Sequence, residues 1–179
     1  MPQITALLPA HNEEVSIGSV VLRTRQFADR VIVVDDGSSD RTAEVAALAG
    51  AEVLRHAENQ GKGTALKIGF AAVNGDAVIV TIDTDGQHSL TNVSSSCAPD
   101  GAQLDPADIP CLVASILRGE ADMVNGRRYL NGNKKDTPIY RRVETRSVLD
   151  TATNFDSGLS VTDSQSGFRA YGKRAIDYI

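Results

Sequence analysis

A chain of 179 residues with 41% hydrophobic and 23% charged residues is long enough for one domain with a substantial core, and its composition excludes intrinsic disorder. Eighteen Lys and Arg against 23 Asp and Glu give a net charge of -5. That balance, with 4% aromatic residues and no Trp, excludes the basic stacking surface of a nucleic-acid binder.

Ile4–Leu8 reads as an apolar strand closed by Pro9-Ala10-His11-Asn12-Glu13-Glu14. Asn12 suits an N-cap, and Glu13 and Glu14 complement the positive end of a helix running to about Phe27, with Val15, Val21 and Leu22 on its apolar side. At the carboxyl end of a strand, this loop serves equally as a cap or as a nucleotide contact. Val31–Val34 is a second buried strand, and it ends in Asp35-Asp36-Gly37-Ser38-Ser39-Asp40. Gly37 permits a tight turn, and Ser39 or Asp40 can cap a helix from Arg41 to Ala49 that stops at Gly50. An acid here either caps that helix or accepts hydrogen bonds from a base or ribose.

Ala51–His56 gives a third strand, followed by Glu58-Asn59-Gln60-Gly61-Lys62-Gly63-Thr64. The glycine spacing is not that of a Walker loop; Lys62 either faces a nucleotide or is solvated. A helix over Ala65–Asn74 packs Leu66, Gly69, Phe70 and Val73. Then comes Ala77–Ile82, a β-branched run typical of a buried parallel strand, ending abruptly on Asp83-Thr84-Asp85-Gly86-Gln87-His88. Two carboxylates one residue apart repel each other unless a positive group lies between them. A Mg²⁺ or Mn²⁺ ion carrying a diphosphate meets that need, while a polar turn capping the next helix is the plainer alternative.

Residues 89–104 carry no periodicity and read as a surface insertion. Asp105-Pro106 opens a helix with Ile109, Leu112, Val113, Ile116 and Leu117 as its buried stripe and Gly119 at its end. Ala121–Asn125 is a further strand, and the loop after it is basic: Gly126-Arg127-Arg128-Tyr129, then Lys134 and Lys135. Such a loop suits a phosphate-bearing second substrate or lies in solvent. Arg141, Arg142 and Arg146 fall on a helix after Pro138, and a short strand carrying Arg169 follows the polar turn Val161–Gly167.

No apolar run reaches membrane-spanning length and Met1–Thr5 lacks a basic leader, so the chain is expected to be soluble and cytoplasmic. Cys97 and Cys111 have no metal-ligand spacing and are expected as two free thiols in a reducing compartment.

Leu8–Glu14, Val34–Asp40, Asn59–Gly63, Asp83–His88, Gly126–Tyr129 and Ser166–Tyr171, in this order, resemble the motifs of the family 2 glycosyltransferases, and within them the polyprenyl (dolichyl) phosphate sugar synthases. The resemblance implies an α/β, GT-A fold: a Rossmann-like, mostly parallel sheet with helices on both faces, forming a single catalytic domain over 1–179. It implies that Pro9, Ala10, Glu13, Val34 and Asp36 hold the nucleoside of a sugar donor, with Lys62, Asp83 and Thr84 beside them. Asp85 and Gln87 would hold the divalent metal, Mg²⁺ or Mn²⁺, with Asp83 contributing. Arg128, Arg169 and Lys173 would meet the acceptor phosphate, with Asp85, Arg128 and Arg169 carrying the chemistry. The implied reaction moves one sugar, with inversion, from a nucleotide sugar to a lipid phosphate at the cytoplasmic face of a membrane. The alternatives are a saccharide acceptor, which needs a general base, and a nucleotide-sugar-binding fragment without turnover. Three departures stand out: the 89–104 insertion after the metal loop, Arg127 where relatives have a small residue, and a chain that ends at Ile179 where relatives continue toward the lipid.

Overall fold

The computed structural model describes residues 3–73, 78–84, 105–126 and 167–177. In chain order these form β1 (Ile4–Ala10), α1 (Ile17–Thr24), β2 (Arg30–Asp35), α2 (Thr42–Leu48), β3 (Glu52–Arg55), α3 (Lys62–Ala72) and β4 (Val78–Thr81). A 3₁₀ turn (Pro106–Asp108) then leads into α4 (Ile109–Leu117), followed by β5 (Met123–Asn125), β6 (Arg169–Tyr171) and α5 (Lys173–Ile176). The sheet order is β3-β2-β1-β4-β6-β5. β1 pairs in parallel with β2 and β4, and β2 with β3, while β6 runs antiparallel to β4 and β5.

The apolar runs are continuous because the central strands are covered on both faces. Ala6, Leu8, Val31, Val33, Val78 and Val80 face α1, α2 and α4. The alternate residues Leu7, Ile32, Val34 and Ile79 face α3, where Phe70 meets Tyr171 edge to face at 5.1 Å. The expected mostly parallel sheet with helices on both faces is therefore what the chain forms.

Several boundaries move. β1 continues through Pro9 to Ala10, and α1 begins only at Ile17. Val15 is 94% exposed and Leu22 is also exposed, so of the three expected apolar positions only Val21 is buried. The cause is the segment before α1, whose backbone N–H groups at Asn12, Glu13 and Glu14 are spent on cross-links to the β2 loop, so that the helix itself starts later. α3 starts three residues earlier than expected, at Lys62. In α4, Ile109, Leu112 and Val113 are buried as expected, but Leu117 is exposed at the last turn, before the positive φ (72°) of Gly119. Cys111 is disulfide-bonded, which corrects the expected free thiol and removes that argument for a reducing compartment; cysteine spacing does not report which thiols meet. The 89–104 insertion, the basic loop 127–135 and the helix after Pro138 lie outside the described residues.

Gly69 lets α3 lie close against β1: a Cβ there would come within 2.2 Å of Leu7 Cδ1, and Leu7 is fully buried. Ala would raise helix propensity by about 1 kcal/mol, but overpacking a closed core costs about 1–3 kcal/mol. Gly69→Ala is therefore expected to lower the urea midpoint without changing the slope of the transition.

Candidate active site

From β1 the chain steps outward through β2 to β3, then crosses back to place β4 on the other side of β1. The order reverses between β1 and β4, and a crevice opens there at the carboxyl edge of the sheet. Pairing in this gap ends at Ile82 N–H to Leu7 C=O, 3.1 Å. Pro9 has no N–H to continue the ladder, and its carbonyl accepts instead from Thr84 Oγ1 at 2.9 Å. A proline inside a central strand is tolerated because its missing donor faces the place where the two strands part. On the other side Ala10 C=O still accepts from Asp36 N–H at 2.8 Å.

The loops after β1 and β2 are laced together. The backbone N–H groups of Asn12, Glu13 and Glu14 donate to Ser38 Oγ (2.9 Å), Thr42 Oγ1 (2.7 Å) and Asp40 Oδ2 (3.2 Å). In return Asn12 Oδ1 accepts from Ser39 N–H at 2.9 Å and Glu14 Oε2 from Arg41 N–H at 3.1 Å. Asn12 is thus a cross-link held at φ 56°, where asparagine is tolerated, and not the N-cap of α1. Ser16 Oγ shares its one proton between Glu13 Oε2 (2.7 Å) and the Thr84 carbonyl (2.8 Å), tying Glu13 to the β4 loop.

Asp36 is only 3% exposed. Its Oδ1 accepts from Gln60 N–H at 2.9 Å and His56 Nδ1 at 2.8 Å, and its Oδ2 from Gly61 N–H at 2.7 Å. Burial opposes ionisation, but the Gln60 N–H, His56 and the Gly61 N–H outweigh it and hold the carboxyl below the ordinary carboxylate value. Gly37, at φ 69°, lets the β2 loop pass against the 58–59 backbone, where a Cβ would lie 2.4 Å from the Glu58 carbonyl carbon. Val34 is fully buried on the α3 face, so its side chain packs the sheet and does not line the crevice.

Asp83 and Thr84 stand at the carboxyl edge beyond β4. Lys62, on the first turn of α3, forms an ion pair with Asp83 Oδ1. The cation expected near the nucleotide and the acid expected near the metal are thereby brought together. Gly167 forms the floor under Asp83: a Cβ there would lie 2.0–2.1 Å from both carboxylate oxygens. Its carbonyl is fixed by Thr81 Oγ1 at 2.9 Å, so that floor cannot retreat. Arg169 pairs in register with Thr81, at the same edge. Lys173 does not join it. β6 runs antiparallel to β4, so the chain leaves the edge after Arg169, and Gly172 N–H bonds Asp122 C=O at the opposite, amino edge. A four-residue helical spacing would have kept the two cations on one face; a strand carries them apart.

The described part of the expected metal set is Asp83, a hard carboxylate with 27% of its side chain open to the crevice, which is the donor type Mg²⁺ and Mn²⁺ take. Among the described residues no three His, Cys, Asp or Glu side chains converge. Asp85 and Gln87, and with them Arg128, fall outside those residues.

A profile of the family described as glycosyl transferase family 2 matches residues 5–94, the span that holds β1 to β4 and both acidic loops. The chain belongs to glycosyl transferase family 2. It is 32% identical over 195 residues to the UDP-N-acetylglucosamine–dolichyl-phosphate N-acetylglucosaminyltransferase of Methanococcus voltae, covering 97% of this chain and 70% of that protein. Similarity to the polyprenol monophosphomannose synthase of Mycolicibacterium smegmatis is 28% over 183 residues, covering 97% and 63%. Among solved structures, glucosyl-3-phosphoglycerate synthase from Mycobacterium tuberculosis, in complex with Mn²⁺, UDP-glucose and phosphoglyceric acid, superposes with a TM-score of 0.67 at 27% identity. That match covers 97% of this chain and 57% of the solved one. This family 2 chain is accordingly a glycosyltransferase domain of GT-A fold, and it spans between about half and 70% of the relatives it matches.

Sequence reasoning gives no role to three positions of this candidate site. Ser16 bridges two loops, Gly167 supports Asp83 and His56 holds Asp36; Gly167 falls within the Ser166–Tyr171 motif, while Ser16 and His56 carry no local pattern, because each acts through a partner distant in sequence. In the sequence His56 is only the end of a strand.

A carboxyl whose pKa is lower in the folded than in the unfolded chain stabilises the fold above its ordinary value of 3.8 and loses that contribution as pH falls below it. Asp36→Asn is expected to cost about 1.5–3 kcal/mol near pH 7, since hydrogen bonds to a buried charge are removed. Urea midpoints of the two proteins should converge as pH is lowered below 4; a gap that stays constant to pH 2.5 would contradict the ionised clamp.

Proposed function

We propose that this domain transfers one sugar, with inversion, from a GDP- or UDP-linked donor to a polyprenyl or dolichyl phosphate, in a divalent-metal-dependent reaction. The observation that carries this reading is the Lys62–Asp83 ion pair at the carboxyl edge beside the switch point of the sheet, with Arg169 in register with Thr81 at the same edge. In that crevice Pro9, Ala10, Glu13 and the Val34–Asp36 backbone form the nucleoside side, with Thr84 holding the β1 and β4 ends in place.

Asp83, with Asp85 and Gln87, would hold the cation. When bound, Mg²⁺ or Mn²⁺ neutralises charge building on the leaving nucleoside diphosphate. Lys62 supplies a further positive charge beside Asp83, within the same cleft as the diphosphate. Arg169 and Arg128 would neutralise the incoming acceptor phosphate so that two anions can approach. A phosphate oxygen is already anionic near neutral pH, so the acceptor needs no strong general base. The names of the curated relatives, which act on dolichyl and undecaprenyl phosphates, support a lipid phosphate. The phosphoglyceric acid held by the solved neighbour supports a second reading, a small soluble phosphorylated acceptor. Among the described residues no helix is long and apolar enough to cross a membrane, and peripheral contact at its cytoplasmic face is part of the first reading.

Radiolabelled sugar should pass from a panel of GDP- and UDP-sugars to a short polyprenyl phosphate with Mn²⁺ or Mg²⁺, and not with EDTA present. Asp85→Asn should fold normally and lose about 100-fold or more in transfer. Label appearing only on 3-phosphoglycerate would select the second reading, and EDTA-insensitive transfer would remove the metal.

A further inference from the structure

We propose that His56 is a positioning residue for sugar transfer, acting through Asp36 and the Gln60–Gly61 turn to aim Lys62 at Asp83. The inference rests on the reading of Lys62 and Asp83 as part of the donor site. It begins with the state of the imidazole. An ionised carboxylate can only accept, so in the 2.8 Å contact with Asp36 Oδ1 the proton sits on His56 Nδ1. The other ring nitrogen, Nε2, is buried and makes no hydrogen bond among the described residues. A side chain needed only for packing would be met better by an apolar ring, which leaves no buried nitrogen unpartnered. Among the described residues the one hydrogen-bond partner of the His56 ring is Asp36, while its backbone N–H donates to the Asp35 carbonyl at 2.9 Å.

Asp36 carries that contact onward. Its two oxygens accept the consecutive N–H groups of Gln60 and Gly61, at 2.9 and 2.7 Å. Gly61 is the residue before α3, at φ 89°, and no side chain caps this helix. A carboxylate from the end of β2 therefore fixes the two residues that lead into the helix, sharing the Gly61 N–H with Asn59 Oδ1 at 3.0 Å, and places negative charge near its positive end. Space does not require glycine at 61, because nothing lies within 4 Å of a Cβ placed there; the backbone conformation does. The next residue is Lys62, whose ammonium reaches Asp83. A continuous path thus joins the buried ring of His56 to the acid at the mouth of the crevice. Loss of the ring's N–H frees Asp36 to turn, releases Gln60 and Gly61, and lets the first turn of α3 fray.

The test is a double-mutant cycle on the full chain, with binding of UDP and of GDP in the presence of Mn²⁺ read by calorimetry. His56→Phe is expected to weaken binding about tenfold in the wild type and by less than about twofold in Lys62→Ala, because the lever it acts through is gone. His56→Gln, which keeps an N–H donor, should recover most of the loss. An equal loss in both backgrounds overturns the proposal. If His56→Phe does not fold, Asp36→Asn replaces it in the cycle. If neither nucleotide binds wild-type protein, the donor-site reading fails, and amide hydrogen exchange still decides the relay. Gln60 and Gly61 should then exchange faster in His56→Phe or Asp36→Asn while Phe70 stays protected, and unchanged exchange at both amides contradicts it.

Discussion

The site depends on the parting of β1 and β4 after the Leu7–Ile82 hydrogen bond. Up to that point the two strands are bound as any parallel pair, with Ile4 to Leu7 in register against Val78 to Thr81. Beyond it the backbone has polar groups and no ladder, and a proline removes one of the donors that would otherwise face the gap unpaired. Thr84 answers the Pro9 carbonyl and Ser16 answers the Thr84 carbonyl, so the opening is held at a fixed width by hydroxyls. Hydroxyl bridges keep the edge polar and rigid without closing it.

A crevice lined with acids must also balance its charge. Each described acid at this edge is met by a different device. Asp35, fully buried, has Ser38 N–H at 3.0 Å and the Arg55 guanidinium at 3.1 Å, the latter an ion pair without hydrogen-bond directionality. Asp36 is met by backbone N–H groups and an imidazole. Asp83 alone is met by a flexible lysine, and it keeps part of its surface open. The first two arrangements are buried and fixed, whereas the partly exposed lysine of the third can be exchanged for another cation at low cost. This gradient, from fixed to exchangeable, runs toward the gap between β1 and β4.

Much of the fold was legible because strands buried on both faces announce themselves as apolar runs, and β1, β2 and β4 each end where a charged cluster begins. The placement of Asp83 followed from the same rule. The length of α1 was not legible, since Asn12, Glu13 and Glu14 look like a helix start and instead pair with Ser38, Thr42 and Asp40, more than twenty-five residues away. The separation of Lys173 from Arg169 was not legible, because it depends on the direction of β6, and strand direction is set by the sheet and not by the residues themselves. His56 carried no signal at all: a histidine closing a strand reads the same whether its ring is solvated or buried against a carboxylate.

Binding at the gap between β1 and β4 can be read from paramagnetic broadening of backbone amide signals by Mn²⁺ in the presence of UDP or GDP. Broadening should centre on Asp83 and Thr84 and extend to His11–Glu13 and Gly167–Arg169, with Lys173–Ile176 spared at the far edge of the sheet. Broadening centred on α5, or spread evenly over the surface and independent of nucleotide, would contradict it.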